Sequence, residues 1–188
     1  MPRYGFLLFW LMMCATLSGC ALPGAYRPEL LATSTEEPYT LAAGDRLRVI
    51  VFGQDAISNS YTVDGSGHIS MPLIGLVPAA GLTTQALQHE IAARLRNGFI
   101  RDPRVSVEVE AYRPFFVLGE VVTAGQYPFV EGLTVQKAIA IAGGFSPRGY
   151  QGEVDLTRDF GGVQVTGRVP LLQAVRPGDT ITVRERIF

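Results

Sequence analysis

The chain has 188 residues, of which 16 are Lys or Arg and 17 are Asp or Glu, so its formal net charge is −1 at pH 7. This balance excludes the strongly basic surface of a dedicated nucleic-acid-binding protein, and we expect no nucleic-acid partner. A hydrophobic fraction of 47% with 18% charged residues excludes a disordered chain. The 21 glycines and 12 prolines predict many turns, and therefore a β-rich body rather than a helical bundle.

The first twenty residues have the features of a lipoprotein signal peptide. Arg3 gives a positive start, and an apolar stretch of about a dozen residues follows, which is the length of a signal-peptide core. A membrane-spanning helix needs roughly 20 such residues, so this stretch is too short to span. It ends in Leu17-Ser18-Gly19-Cys20, which resembles the lipobox of bacterial lipoproteins.

The lipobox predicts cleavage after Gly19, so that residues 1–19 are removed and Cys20 becomes a lipidated N-terminus. Because Ala21 rather than Asp follows the cysteine, the resemblance implies sorting to the outer membrane. An ordinary secretory signal that contains a cysteine is the alternative. Cys14 would leave with the signal peptide, so no second thiol remains for a disulfide, for catalysis or for a metal.

Residues 20–38 contain three prolines and no regular hydrophobic period, which predicts an extended, lipidated tether. From Tyr39 the pattern becomes regular and predicts two compact modules. We call residues 39–111 the first module and residues 112–188 the second module.

The first module is predicted to have the order β-β-β-α-β. Alternating apolar residues predict a strand at 47–51, introduced by Gly44-Asp45, and another at 105–109. Between them, 61–63 and 68–71 flank the turn Asp64 to Gly67, a pattern typical of a tight hairpin, and 72–77 continues as strand or turn. A helix capped by Thr83 or Thr84 and ended by Gly98 would bury three residues at four-residue spacing, namely Leu87, Ile91 and Leu95.

The second module is predicted to be a compact α+β sheet with one helix across it. Strands are expected at 115–119, 127–130, 153–158, 163–169 and 180–184, with a turn around Gly125. Thr134 is expected to cap a helix that Gly143 and Gly144 end. The overall prediction is therefore an α+β protein in which a β-rich domain packs with a second small sheet, one helix crossing each.

A short sequence pattern occurs in both modules. Ala43-Gly44-Asp45 precedes Leu47 and Val49, just as Pro177-Gly178-Asp179 precedes Ile181 and Val183. Glycine permits a turn, and an aspartate carboxylate accepts backbone N–H bonds at the entrance of a strand. We therefore interpret both aspartates as structural rather than catalytic.

These residues resemble the outer-membrane polysaccharide export family, the lipoproteins that carry capsule or exopolysaccharide out of Gram-negative bacteria. The motifs around Gly44-Asp45 and from Val63 to Gly75, which include Asp64, Gly67, Pro72 and Gly75, resemble the family's export domain. The motifs that contain Gly119, Gly125, Gly143 and Gly144 are similar to the soluble-ligand-binding β-grasp (SLBB) module that follows it.

The resemblance implies a transport component that forms a ring-shaped homo-oligomer around a polar passage for polysaccharide. It also implies an inner-membrane partner that contains a polysaccharide co-polymerase or transport complex. The chain stops at Phe188, without a second β-grasp module or a C-terminal amphipathic helix. It therefore resembles a short member of the family, for which a separate outer-membrane pore partner would complete the route.

No catalytic, phosphate-binding or metal motif occurs in the sequence, so we expect no enzyme activity, no cofactor and no metal. His68 and His89 are the only histidines, and a metal site would need them to converge with Asp64 or Asp102. The alternating strand face Arg104, Ser106, Glu108 and Glu110 fits ordinary solvent or a polar lumen, and we prefer solvent.

Aromatic residues are the remaining candidates for contact with sugars. Phe115, Phe116 and Tyr127 could stack on sugar faces, but we expect them in the core. The alternative to an export component is a monomeric periplasmic lipoprotein whose β-grasp module binds a glycan or another small ligand.

Overall fold

The computed structural model describes Leu31 and residues 38–187. The predicted signal peptide and Cys20 lie outside the described residues.

The prediction of an α+β protein is confirmed. The strands are β1 (Arg46–Val51), β2 (Asn59–Thr62), β3 (His68–Met71), β4 (Gly75–Pro78), β5 (Val105–Ala111), β6 (Phe115–Gly119), β7 (Gly125–Tyr127), β8 (Glu153–Phe160), β9 (Val163–Pro170) and β10 (Thr180–Val183). The helices are α1 (Thr84–Arg96) and α2 (Val135–Ile141), and a single 3-10 turn spans Asp55–Ile57.

Helix α1 covers a three-stranded antiparallel sheet of order β2-β1-β5 in the first module. The three residues predicted to be buried on α1 are indeed inaccessible to solvent. The Thr83 hydroxyl caps the helix by accepting a hydrogen bond from the Ala86 N–H at 3.2 Å. The chain then leaves the helix through Asn97 and Gly98, as the sequence predicted.

The expected hairpin between 61–63 and 68–71 is wrong in its strand pairing. The turn itself forms, since the Asp64 N–H donates to the His68 carbonyl at 2.9 Å. However, β2 pairs with β1, whereas β3 pairs with β4 in a separate two-stranded sheet. This second pairing places Ile69 opposite Val77 and buries both side chains, so four strands rather than three precede α1.

The second module is a five-stranded sheet of order β7-β6-β10-β8-β9, in which only β6 and β10 are parallel. Helix α2 packs on one face and shares a hydrophobic cluster with β6, β8 and β10. The short strand expected at 127–130 lies instead at Gly125–Tyr127. Pro128 explains the shift, because it has no N–H to donate to a ladder.

The aromatic residues divide between core and surface. Phe115 is fully buried and Tyr127 packs against the same cluster, in agreement with the sequence prediction. Phe116 was expected in the core, but it is 37% exposed because it points to the face of the sheet opposite α2. The prediction is therefore wrong for this residue.

The described residues contain two separate hydrophobic clusters. One comprises buried residues from Leu41 to Val107, and the other comprises residues from Phe115 to Val183 together with Leu31. Leu31 falls within the predicted tether, so the tether is held to the body at this position. Neither helix of the described part combines the length and the apolar composition that crossing a membrane requires.

Candidate functional site at the junction of the two modules

The first Gly-Asp turn is held together by a buried carboxylate. The Asp45 side chain has no solvent exposure. Its Oδ2 accepts hydrogen bonds from the Ala42 N–H at 2.9 Å and from the Tyr39 hydroxyl at 2.6 Å. Its Oδ1 accepts the backbone N–H of Arg113 at 2.8 Å, so this carboxylate also joins the start of the first module to the chain that enters the second.

The second Gly-Asp turn has the same construction. Oδ2 of the buried Asp179 accepts the Arg176 N–H at 2.7 Å, three residues earlier in the chain, as Asp45 does with Ala42. Its carboxylate also receives a bidentate pair of hydrogen bonds from the Arg158 guanidinium, at 2.9 and 2.7 Å. Bidentate, buried pairs of this kind are the strong form of the charge-assisted hydrogen bond.

Arg113 lies between the two turns. Its Nε donates to the Pro177 carbonyl at 3.0 Å, and its Nη1 lies 3.7 Å from Asp45 Oδ2. A Cβ on Gly178 would lie 2.6 Å from Arg113 Nε, and φ of Gly178 is +87°. Only glycine meets both requirements without strain, so Gly178 allows the arginine to pass across the second turn.

A row of aromatic rings borders the junction. The Tyr112 ring packs edge-on against Tyr39 and Phe129, with centroid distances of 5.0 and 5.4 Å. Burial, followed by the hydrogen bond to Asp45, raises the pKa of Tyr39 far above its usual value. Burial, followed by the hydrogen bond to Glu131, raises the pKa of Tyr112 to about 12. Both hydroxyls therefore remain protonated donors at neutral pH.

Two cavities flank this row, with volumes of about 290 and 200 Å³, and both are lined by Tyr39, Arg176 and Pro177. Neither cavity has a histidine or a cysteine in its lining. Arg113 and Arg158 are neutralised by Asp45 and Asp179. The chemistry of the junction is thus that of a structural joint that ties the two modules together.

The other motif residues are distributed over turns. Asp64 Oδ1 accepts the N–H groups of Ser66 and His68 at 2.8 and 3.0 Å. These hydrogen bonds hold the pKa of the Asp64 carboxyl below its usual value, and the bond from the His68 N–H has the largest effect. Gly67 closes this turn, and a Cβ there would lie 2.7 Å from the Ala80 Cβ.

The remaining motif positions do not converge on one site. Pro72 is the first residue of the three-residue connection between β3 and β4, and Gly75 is the first residue of β4. Gly119 ends β6 beside Val183, and Gly125 begins β7. Gly143 and Gly144 follow α2, as the sequence predicted, with φ of +86° and +92°. Within residues 38–187 and at Leu31, no group of three or more His, Cys, Asp or Glu side chains is placed to bind a metal.

The outer face of the first sheet is ionic. Arg46 Nε lies 3.0 Å from Glu110 Oε2, and Arg48 is in register with Glu108. A hydrogen bond from the Ser60 hydroxyl, together with the positive charges of Arg46 and Arg48, lowers the pKa of Glu110.

Sequence reasoning missed the arginines of the junction. Arg158 carried a detectable signal, because it follows Val154 and Leu156 in the buried phase of β8. A charged residue at such a position requires a buried partner. Arg113 carried no such signal, since its role depends on the meeting of two turns that are distant in sequence.

The comparisons with known proteins agree with the two-part fold. The family model "Polysaccharide biosynthesis/export protein" matches residues 33–110, and the SLBB domain model matches residues 114–169. Over 144 residues the chain is 36% identical to the exopolysaccharide production protein ExoF of Rhizobium meliloti, covering 70% of this chain and 34% of that protein.

A second relative is aligned over more of the chain. The EPS I polysaccharide export outer membrane protein EpsA of Ralstonia nicotianae is 30% identical over 193 aligned residues, covering 84% of this chain and 49% of that protein. The chain thus spans about half of this relative's length, and about a third of ExoF. Both matches confirm the resemblance carried by the motifs. With an export domain followed by an SLBB domain, the chain belongs to the polysaccharide export protein family.

Proposed function

We propose that this protein is the outer-membrane-anchored component of a machine that exports capsule or exopolysaccharide. It assembles into an oligomeric conduit on the periplasmic side of the membrane, through which the glycan passes. The observation that carries the proposal is the succession of the two domains on this chain, whose relatives are named for exopolysaccharide production and export.

The anchor is a lipid on Cys20. A lipobox at this position supports it, because two or more acyl chains hold a protein stably on a bilayer. The name of EpsA as an outer membrane export protein supports the same membrane. In this arrangement the two modules lie in the periplasm and meet an inner-membrane polysaccharide co-polymerase or transport complex. A separate outer-membrane pore would provide the remaining passage.

The role is passage rather than catalysis. A long hydrated glycan moves only if each contact is weak, since tight binding would stop it. Both modules offer partly exposed sheet faces on which ionic and hydroxyl side chains outnumber apolar ones. Such side chains exchange hydrogen bonds between water and sugar at little net cost.

The primary test is surface and intracellular polysaccharide in a deletion strain, compared with strains restored by the wild type or by Cys20→Ser. We expect loss of surface glycan, full rescue by the wild type and poor rescue by Cys20→Ser. Unchanged surface glycan in a strain that makes one, and that has no second copy of the gene, would overturn the proposal.

The oligomeric conduit has its own test. The mature protein in detergent should sediment as a defined oligomer over a wide concentration range. A protein that remains monomeric at high concentration, and whose second module binds a glycan saturably, would instead be a binding lipoprotein.

A further inference from the structure

The five-stranded sheet of the second module has one face that no described element covers. Helix α2 packs on the other face, against buried residues such as Val117, Leu156 and Ile181. Residues that alternate with these point away from α2 and are partly or fully exposed. We call this surface the open face.

The strand register places the side chains of the open face in two rows. The first row crosses all five strands and consists of Gln126, Phe116, Thr180, Thr157 and Thr166. The second row lies two residues away from the first on four of the strands. It consists of Leu118, Thr182, Asp155 and Arg168. The centre is therefore a patch of four threonines, which we call the hydroxyl patch, with apolar side chains on β6 and an ion pair towards β9.

The hydroxyl patch is not explained by strand propensity alone. The exposed face of the first sheet in this same chain is ionic, with arginine opposite glutamate. In the patch, the Thr157 and Thr166 hydroxyls are 2.8 Å apart and bond to each other. A hydroxyl has one donor and two acceptor sites, so both retain capacity for a further partner.

A cavity of about 300 Å³ continues the second row at its ionic end. It is lined by Tyr150, Glu153, Arg168, Arg184, Glu185, Arg186 and Ile187. The Arg184 guanidinium lies 5.7 Å from the centroid of the Tyr150 ring and 3.5 Å from Asp155. Arg184 Nε, the atom that makes this ion pair, is buried and forms no other polar contact that meets hydrogen-bond geometry among the described residues.

This chemistry matches a sugar chain better than a second copy of the protein. The core of a protein–protein interface is depleted of charged residues and rich in large apolar ones. Here the centre holds hydroxyls, and Asp155 with two arginines lies beside them. A pyranose offers hydroxyls around its edge and C–H groups on its faces. The hydroxyl patch and the exposed rings of Phe116 and Tyr150 are complementary to these two kinds of surface.

We propose that the open face is the surface along which the hydroxyl-rich glycan chain moves, and that the cavity beside Tyr150 holds one sugar unit at a time. This inference rests on the proposed function and names the surface that carries it out. Many contacts, each weak and each easily exchanged with water, let the chain advance.

Labelling of single cysteines in cells tests the inference directly. The chain has two cysteines, Cys14 in the signal peptide and the anchor Cys20, so a cysteine placed in the body is the only reactive thiol of the anchored protein. Thr157→Cys and Thr182→Cys probe the open face, and Gln136→Cys on the exposed side of α2 is the matched control. A small charged thiosulfonate reagent is applied with glycan synthesis switched on or off.

We expect the two open-face cysteines to react several-fold more slowly while glycan is exported, and modification to reduce export. Gln136→Cys should react at the same rate in both states. Equal rates at the open face with and without glycan would overturn the inference. Protection in both states would place another copy of the protein there and would also overturn it.

A second measurement does not depend on export and so separates the two proposals. The mature protein in detergent is titrated with a neutral β-1,4-linked glucose hexamer, and backbone NMR shifts are followed. We expect shifts at the hydroxyl patch and at Tyr150.

The double variant Thr157→Val/Thr182→Val should weaken binding of the hexamer about threefold or more, as expected for lost hydrogen bonds. Thr62→Val, on exposed β2, should leave it unchanged. Shifts confined to other surfaces, or none at millimolar hexamer, would overturn the inference even where the deletion strain has lost export.

Discussion

Gly119 ends β6 at a point where the chain passes directly beside the backbone of β10. A Cβ at this position would overlap the Val183 carbonyl oxygen, and φ is +81°. Gly161 also has a positive φ, +63°, but open space surrounds it. We predict that Gly161→Ala carries only the left-handed backbone cost of about 1–2 kcal/mol, and that Gly119→Ala adds about 1–3 kcal/mol of overlap. Urea denaturation of both variants measures the difference, and equal losses would contradict it.

The bidentate pair of Arg158 and Asp179 is a second case in which individual side chains should determine stability. The two side chains are 5% and 1% exposed. We predict that Asp179→Asn lowers the free energy of unfolding by about 3–5 kcal/mol, because it leaves the guanidinium buried without its counter-charge. Glu90→Gln is the matched control, since it breaks an exposed pair with Arg94 at 2.7 Å. This control should cost about 0.5 kcal/mol or less. Similar losses in the two variants would show that burial does not govern the energy of the pair.

The turn between β2 and β3 should contribute a pH-dependent part of the folding stability, through the Asp64 carboxylate. The fold favours the Asp64 carboxylate, so its contribution to stability is present above the unfolded pKa of about 3.9 and is lost as pH falls through the lower folded pKa. An asparagine oxygen can accept the same bonds but does not titrate in this range. We therefore expect Asp64→Asn to be somewhat less stable than the wild type at pH 7, because it lacks the charge that strengthens these bonds, and to lose less stability below about pH 4. Parallel stability curves in acid would contradict this.

Local pattern predicted most elements, but not all of their pairings. Helix α1 has both a capping threonine and a four-residue apolar period, so its bounds followed from sequence. The pairing of β3 did not. Alternation shows which face of a strand is buried, whereas the choice of neighbour depends on where the hydrophobic surface of other segments lies. Ile69 and Met71 are buried on β3, and only the fold shows that β4 rather than β2 is the partner.

The junction was predictable only in part for a related reason. Both aspartates could be read as turn residues, because their partners lie three residues away in the chain. The contact between Arg113 and Pro177 joins residues separated by 64 positions. A contact of this kind exists only once both modules have folded, so no local pattern records it. The open face is similar, since its rows combine single residues from five strands.

At the scale of the whole molecule, the chain crosses between the modules twice. It passes from the first module to the second after Ala111, and its N-terminal part contacts the second module at Leu31. The Leu31 carbonyl accepts a hydrogen bond from Gln173 Nε2 at 3.0 Å. From Cys20 to Leu31 an extended chain reaches at most about 40 Å. If Cys20 carries the proposed lipid, the second module is therefore held within that distance of the membrane surface.

Leu31 should consequently stabilise the second module although it precedes the first in sequence. Its side chain is fully buried in the second cluster. We predict that Leu31→Ala lowers the stability of the second module by about 2–5 kcal/mol, the usual cost of truncating a buried leucine. Leu172→Ala, at a side chain that is 77% exposed, is the matched control and should have little effect. Hydrogen exchange distinguishes the modules, because amides of β6, β8 and β10 should exchange faster in Leu31→Ala while those of β1 and β5 stay protected. Faster exchange in β1 and β5 alone would mean that the N-terminal segment supports the first module instead, and the inferred position of the second module near the membrane would no longer follow.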